Sequence, residues 1–394
     1  MSSFHLAIDG NEANTNNRVG SNVYAFHLLR EFFQIIEETA QCEVTVLLAD
    51  QPIADLPPAT AKWHYRVITP RRFWTQLAAP WHFYTHQYDY DVLFTPSHYA
   101  PRFCCVPYVS TVMDLAFLDY PEQFKRSDLI QLTNWTKYSV MSASKVITIS
   151  SFTKQEVIKH YSLDPQSIIV AHPSVSFPEH AASKAELVKF LMEHQIKQPY
   201  FLYLGTLQPR KNIINLVAAY ELFCDDQASN KKELNALPQL VLAGKQGWLA
   251  EPILDRIRRS KVCSKIILTG FIEDSLKPQL YQSALATLLV GFYEGFGIPP
   301  LESIHFGTLP IVSNTSSLPE VVGDAGLLVN PYQPQSIADA MSQVFLMPNV
   351  MKKRFQQKML TQRAKFNWHQ TAETICHALS EVVNQNLQRR DSCI

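Results

Sequence analysis

At 394 residues the chain is long enough for two domains of ordinary size, each with its own core. Lys plus Arg and Asp plus Glu both number 35, and the resulting formal net charge of zero gives no support to bulk nucleic-acid binding. Charged residues make up only 18% and hydrophobic ones 46%, so one face is free to meet a partner or a membrane.

No apolar run reaches the length of a membrane helix. The start, MSSFHLAIDG, lacks the basic-then-apolar pattern of a secretory signal. The seven cysteines are odd in number and scattered, which fits free thiols in a reducing cytosol better than a disulfide framework or a zinc site. A cytoplasmic location is expected.

In chain order, short apolar runs alternate with segments of helical period, the pattern of parallel sheets with crossover helices. Phe4 to Ile8 reads as a first strand. Ser21 is placed to cap a helix whose apolar positions Val23, Phe26, Leu29, Phe33 and Ile36 recur three or four apart. Strand-like runs follow at Val44 to Leu48, Val92 to Phe94, Val109 to Met113, Val146 to Ile149 and Ile168 to Val170. Arg71 to Tyr90 is dense in aromatics after two arginines. It reads either as a core helix with a wide apolar face or as a segment for a membrane interface or lipid-linked acceptor.

His172 to Glu179 (HPSVSFPE) has two prolines and no period, and reads as an interdomain linker. His172 itself reads as structural. A second strand series then begins: Tyr200 to Leu204, Leu240 to Ala243, Ile266 to Thr269, Ala286 to Val290 and Leu309 to Val312. The expected architecture is α/β with two Rossmann-like parallel-sheet domains facing across a cleft. The first spans 1–176, with a helix at about 368–394 packing back on it. The second spans 177–367.

Polar and glycine residues gather just after the strands, where ligands of open α/β sheets bind. Two clusters stand out. In GTLQPRKN, Gly205 ends a strand, and Arg210 and Lys211 stand at the entry of the helix Ile213 to Phe223. Free backbone N–H groups and the dipole favour an anion there, and the two cations together suit a diphosphate. In YEGFGIPPLE, Glu294 lies at a strand end, Gly295 and Gly297 permit close backbone approach, and Glu302 falls in the first turn of a helix opened by Pro299 and Pro300. Carboxylates at these places suit sugar hydroxyls. Asp89-Tyr90-Asp91 has the Asp-x-Asp pattern of a metal site but precedes a strand rather than ending one. Asp225-Asp226 reads as a solvated loop.

These clusters, with LAGKQGW (Leu242 to Trp248), LTGFIED (Leu268 to Asp274) and LPEVVGDAGLLVNP (Leu318 to Pro331), resemble retaining glycosyltransferases of family 4, mannosyltransferase-like, with the GT-B fold. The resemblance covers the C-terminal half in order and the N-terminal half more loosely, and it implies that the domain 1–176 binds the acceptor and the domain 177–367 binds the nucleotide-sugar. It implies that Arg210 and Lys211 hold the donor diphosphate, that Glu294 lies by the donor sugar and that Glu302 binds the ribose. It also implies that the Phe296–Gly297–Ile298 backbone contacts sugar and phosphate. The nucleobase is placed near Phe271-Ile272, and the glycine backing the phosphates at Gly20. Relatives often carry a His-Asp pair where this chain has Met113 and Asp114. Methionine donates no strong hydrogen bond, so the sugar pocket is more apolar or another residue supplies the contact. Asp114 reads equally as a loop cap and as a ligand contact.

The resemblance thus implies hexose transfer, of mannose or a related sugar, from a nucleotide-diphosphate sugar to a glycan or lipid-linked acceptor in polysaccharide or lipopolysaccharide assembly. No metal cofactor is expected, and peripheral contact with the cytoplasmic membrane face is an open alternative. A GT-B nucleotide-sugar epimerase and a non-catalytic nucleotide- or glycan-binding module are the competing readings.

Overall fold

Among the described residues, thirteen short strands built largely of buried residues pair only in parallel. Parallel pairing demands crossover connections, and the intervening helices cover both faces of each sheet. The structure is a computed structural model that describes residues 4–39, 42–97, 99–177, 180–230 and 232–391. The chain forms two units, Met1–Pro173 with Asn367–Ile394, and Ser174–Phe366.

The first unit holds β1 (Phe4–Asp9), β2 (Cys42–Leu48), β3 (Trp63–Val67), β4 (Val92–Thr95), β5 (Tyr108–Val112), β6 (Lys145–Thr148) and β7 (Ile168–Val170). They lie in the order β3-β2-β1-β4-β5-β6-β7. The second unit holds β8 (Tyr200–Leu204), β9 (Gln239–Ala243), β10 (Ile266–Gly270), β11 (Ala286–Leu289), β12 (Pro310–Ser313) and β13 (Leu327–Val329), in the order β10-β9-β8-β11-β12-β13. In each sheet the order reverses once, between β1 and β4 and between β8 and β11. Chain crossovers diverge at such a reversal and leave a crevice at the strands' carboxyl ends.

The last helix, Trp368–Asp391, belongs to the first unit because its apolar side is spent there. Ala372, Ile375, Ala378, Leu379 and Val382 are buried. Trp368 stacks on His27 with ring centroids 5.1 Å apart, and Lys145 pairs with Glu381. Residues 392–394 of the expected helix, and Pro178 and Glu179 of the expected linker, lie outside the described residues. His172 is tied down through its carbonyl, which accepts from the Thr371 hydroxyl.

Several local expectations are corrected. Ser21 is the first helical residue, not the cap. Gly20 occupies the cap, and the Ser21 hydroxyl donates to Glu12 Oε2 at 3.0 Å. Asp225 and Asp226 are not in a loop but inside the helix Ile213–Ser229, with Asp225 paired to Lys261. Strands β3 and β13 escape the sequence reading. The segment from Trp74 to Thr85 is helical and has two apolar faces. Trp74, Ala78, Ala79 and Phe83 are buried in a cluster with Tyr90 and Tyr108, while Leu77, Trp81 and Tyr84 are exposed.

Candidate active site

The loops after β8 and β9 continue to pair beyond the sheet: Gly205 N donates to Ala243 O at 2.9 Å and Leu207 N to Lys245 O at 2.9 Å. This pairing brings the backbone of Gly244 so close to Gly205 that a Cβ on Gly244 would stand 2.0 Å from Gly205 O. The chain then makes one tight turn, Pro209–Lys211, and Asn212 follows in the left-handed conformation at φ 59°. Asparagine tolerates that conformation better than most residues. Here it is buried, and its Nδ2 donates to Val290 O at 2.9 Å and Pro331 O at 2.7 Å. Arg210 and Lys211 therefore lie in a short turn of their own just before the long helix, at the entry where the sequence places them.

That turn faces the loop after β11, because β8 and β11 are neighbours in the sheet. Phe292 N donates to Arg210 O at 3.0 Å. Lys211 Nζ donates to Glu294 Oε1 at 2.5 Å, and Arg210 Nη1 lies 3.6 Å from Glu294 Oε2 while donating to Tyr293 O at 2.5 Å. Glu294 is only 7% exposed. Two cations against one carboxylate leave a local surplus of positive charge in a poorly solvated place. Such a surplus attracts a multiply charged anion far more strongly than it would in bulk water.

A third loop, which the sequence reading did not single out, holds the second cluster in shape. The run Ser313-Asn314-Thr315-Ser316-Ser317 closes β12, and its hydroxyls serve the backbone of residues 291–296. Ser313 Oγ donates to Gly291 O at 2.7 Å. Ser316 Oγ accepts from Glu294 N at 3.1 Å, and Ser317 Oγ lies 2.8 Å from Glu294 O and 2.6 Å from Phe296 O. A serine-rich run directly after an apolar strand was the available signal.

Gly297 has φ 112°, and a Cβ there would meet Leu318 Cδ2 at 2.7 Å, so both conformation and space call for glycine. The Phe296 side chain is buried against Phe366, with ring centroids 5.5 Å apart. The Phe296–Gly297–Ile298 turn thus has backbone, not the Phe296 ring, to offer. Glu302 is the fifth residue of the helix Ile298–His305, beyond the first turn where it was expected. It is buried and accepts from Tyr281 Oη at 2.6 Å. Burial pushes its carboxyl up, while Lys277 and the Tyr281 hydroxyl pull it down. Tyr281→Phe strips this buried carboxylate of its donor. Thermal unfolding should register a loss of about 1–3 kcal/mol. An unchanged melting temperature would mean that the hydroxyl contributes nothing.

Ile272 is 3% exposed and packed with Leu280 and Tyr281, so only its backbone is available. Its neighbour Phe271 is 55% exposed, with Lys245 Nζ 4.5 Å from the ring centroid. An open aromatic face beside a cation, at the end of β10, suits a planar heterocycle.

In the first unit, Gly20 adopts φ 56°, ψ −117° at the start of the helix Ser21–Glu38, and nothing stands within 4 Å of where its Cβ would be. Asp114 Oδ1 accepts from Ala116 N at 3.0 Å, so it caps the turn into the short helix Ala116–Asp119. Met113 is half-buried. Asp89 and Asp91 have structural partners: Asp89 pairs with Arg66, and Asp91 Oδ2 accepts from His5 N at 2.8 Å. Among the described residues one potential metal-ligating group occurs, Asp119, Glu156 and His160. Lys159 Nζ already lies 3.1 Å from Glu156 and 3.4 Å from Asp119 there.

Models for glycosyltransferase family 4 and for glycosyl transferases group 1 match residues 20–177 and 189–362. The O-antigen chain mannosyltransferase B of Escherichia coli is 30% identical over 313 residues, which cover 79% of this chain and 78% of that one. The chain belongs to glycosyltransferase family 4.

The serotype-specific mannosyltransferase WbdA of Escherichia coli is 29% identical to this glycosyltransferase over 257 residues, 64% of this chain and 30% of that one. HepE of Anabaena, solved with UDP and glucose, superposes with a TM-score of 0.70 at 16% identity, covering 96% of this chain and 99% of that one. That likeness shows the GT-B fold. No helix of the described residues is long and apolar enough to cross a membrane.

The glycosyltransferase carries one further buried ionisable group at a strand end. Asp9, closing β1, accepts from Asn11 N at 3.1 Å and Asn11 Nδ2 at 2.7 Å. Burial nevertheless raises its carboxyl from 3.8 to about 6. The folded state therefore holds a proton that the unfolded chain has already lost between about pH 4 and 6. Stability falls as pH rises through that window and stays lower above it. Asp9→Asn keeps an acceptor for Asn11 and removes the charge. It should raise stability at pH 7.5 by roughly 1–3 kcal/mol and bring little gain at pH 4. Thermal unfolding at the two pH values checks this.

Proposed function

We propose that this glycosyltransferase moves a mannosyl residue, or a related hexose, from a nucleotide-diphosphate sugar to a hydroxyl of a glycan or lipid-linked acceptor. The transfer retains anomeric configuration, needs no metal ion and serves O-antigen or a related surface polysaccharide. The observation that carries the reading is the Arg210–Lys211–Glu294 group, with its surplus positive charge at the β8/β11 reversal. The names of the two mannosyltransferase relatives support the sugar and the setting.

In this reading the diphosphate takes the place opposite Arg210 and Lys211. The two cations stabilise charge that develops on the leaving phosphate as the glycosidic bond breaks. The acceptor hydroxyl attacks from the face the leaving group departs, and a leaving phosphate oxygen takes its proton. Glu294, held between the cations, orients them and the sugar and is not the nucleophile. Glu302 receives the ribose hydroxyls, Phe271 and the backbone of Ile272 receive the base, and the Phe296–Gly297–Ile298 backbone receives sugar and phosphate.

A thermal-shift screen of GDP-mannose, GDP and UDP-linked hexoses in the presence of EDTA tests the donor, since a bound ligand raises apparent stability with its affinity. GDP-mannose, the donor in the name of a Mycobacterium tuberculosis mannosyltransferase that is 29% identical over 185 residues, is expected to give the largest rise. No rise with any nucleotide-sugar would overturn the reading. Incubation of the preferred donor with candidate acceptors, and NMR of the product's anomeric centre, then tests retention.

A further inference from the structure

We infer that the helical segment after β3 is a docking face for the surface of an anionic bilayer. Phe73, Leu77, Trp81, Tyr84 and Tyr88 are 54%, 59%, 68%, 64% and 87% exposed. Leu77, Trp81 and Tyr84, spaced four and three apart, lie along one side of the helical segment Trp74–Thr85, and Phe73 and Tyr88 flank it at its two ends. The opposite side is already committed to the core through Trp74, Ala78, Ala79 and Phe83. The outward aromatics therefore do no packing that the fold requires. Single exposed apolar residues are ordinary, but a continuous aromatic stripe marks a surface with a partner.

The chemistry favours a lipid interface. From residue 73 to 88 the sequence contains no Asp, Glu, Lys or Arg. Burial holds His82 down to about 4, so that ring is neutral at ordinary pH. Trp81 and Tyr84 stack with ring centroids 6.0 Å apart. Trp and Tyr combine an apolar body with a polar tip, the combination that settles at headgroup depth. Arg71 and Arg72 precede the stripe, and the Arg72 guanidinium lies 5.0 Å from the centroid of Phe73. The Arg71 side chain is 77% exposed, with one 3.2 Å contact to Asp50. Arginines at the edge of an aromatic stripe are complementary to acidic headgroups. A second exposed ring, Phe103 with Arg102 beside it, comes from the loop whose Ala100 and Val106 enter the same core cluster. The inference does not depend on the donor-site reading.

Flotation of the full-length protein with vesicles of phosphatidylglycerol and phosphatidylethanolamine, and with pure phosphatidylcholine vesicles, tests it. The wild type should float with the anionic vesicles, and added salt should weaken that binding. Leu77→Ser/Trp81→Ser/Tyr84→Ser should lower the bound fraction about tenfold or more, because the apolar side chains supply the insertion. Arg71→Gln and Arg72→Gln should each weaken binding to anionic vesicles by about fivefold and leave phosphatidylcholine binding unaltered. All substituted side chains are exposed, so unchanged melting temperatures verify folding. A wild type that stays unbound would overturn the inference, as would serine variants that float equally well. A concentration-dependent dimer that the triple variant abolishes, without flotation of the wild type, would assign the stripe to a protein partner instead.

Discussion

Lys211→Ala is expected to lower turnover by about a hundredfold or more, the scale seen when one preorganised electrostatic group is lost from a site of developing charge. The ammonium stands 2.5 Å from Glu294 Oε1, and both side chains are largely buried, at 15% and 9% exposed. Removing it has two separable consequences. The leaving phosphate loses a cation, and Glu294 keeps only Arg210, 3.6 Å away. The second effect should cost roughly 1–3 kcal/mol of stability. The double variant Lys211→Ala/Glu294→Gln removes the orphaned charge and should recover most of that stability. It should not recover turnover. If saturating donor restores near wild-type rates to Lys211→Ala, Lys211 has no part in the chemistry.

Gly244→Ala should be the most damaging single methyl group in the second unit. Its Cβ would meet Gly205 O at 2.0 Å and Gly205 C at 2.6 Å, both backbone atoms, so no side chain can swing aside. Gly244 also has φ 145°, where L side chains are strained. Relief requires the ends of β8 and β9 to separate, which breaks the bond from Gly205 N to Ala243 O. The turn bearing Arg210 and Lys211 is the continuation of that same loop, so donor affinity should fall with stability. A loss of about 3 kcal/mol or more is expected, a drop of roughly 6–12 °C in melting temperature for a unit of this size. Gly270→Ala is the control. It carries conformational strain at φ 73° but nothing stands within 4 Å of the added carbon, and it should cost about a third as much. Equal melting temperatures for the two variants would refute the clash.

Strands with uninterrupted apolar runs were legible in the sequence because burial on both faces leaves them few polar positions. β8, read as Tyr200 to Leu204, is such a run and has those limits. β3 was not legible, since as the outer strand of its sheet it alternates buried Trp63 and half-buried Tyr65 with exposed His64 and Arg66. β13 is only three residues long and too short to show a period. The helix start near Gly20 was legible to within a residue, but which residue served as cap depended on a bond from Ser21 to Glu12 that no local pattern announces.

In the candidate site, the residue types and their position after strands could be read from order alone. The pairing of Lys211 with Glu294 could not. It joins positions 83 apart in sequence and arises only because β11 crosses over to lie beside β8. The same holds for Ser316 and Ser317, whose role comes from β12 lying beside β11. The second apolar face of Phe73 to Tyr88 is a further case. Periodicity showed that the segment was rich in aromatics, but which of them the core would absorb depended on the neighbouring strands.

The central claim is that Arg210 and Lys211 together hold a nucleotide diphosphate, and titration calorimetry with GDP in EDTA tests it most directly. Wild-type protein is expected to bind with a single saturable site, and Arg210→Ala/Lys211→Ala to bind at least about thirtyfold more weakly, as loss of two charge-assisted contacts requires. Equal affinities in the two proteins, or binding by the wild type only after a divalent cation is added, would contradict it.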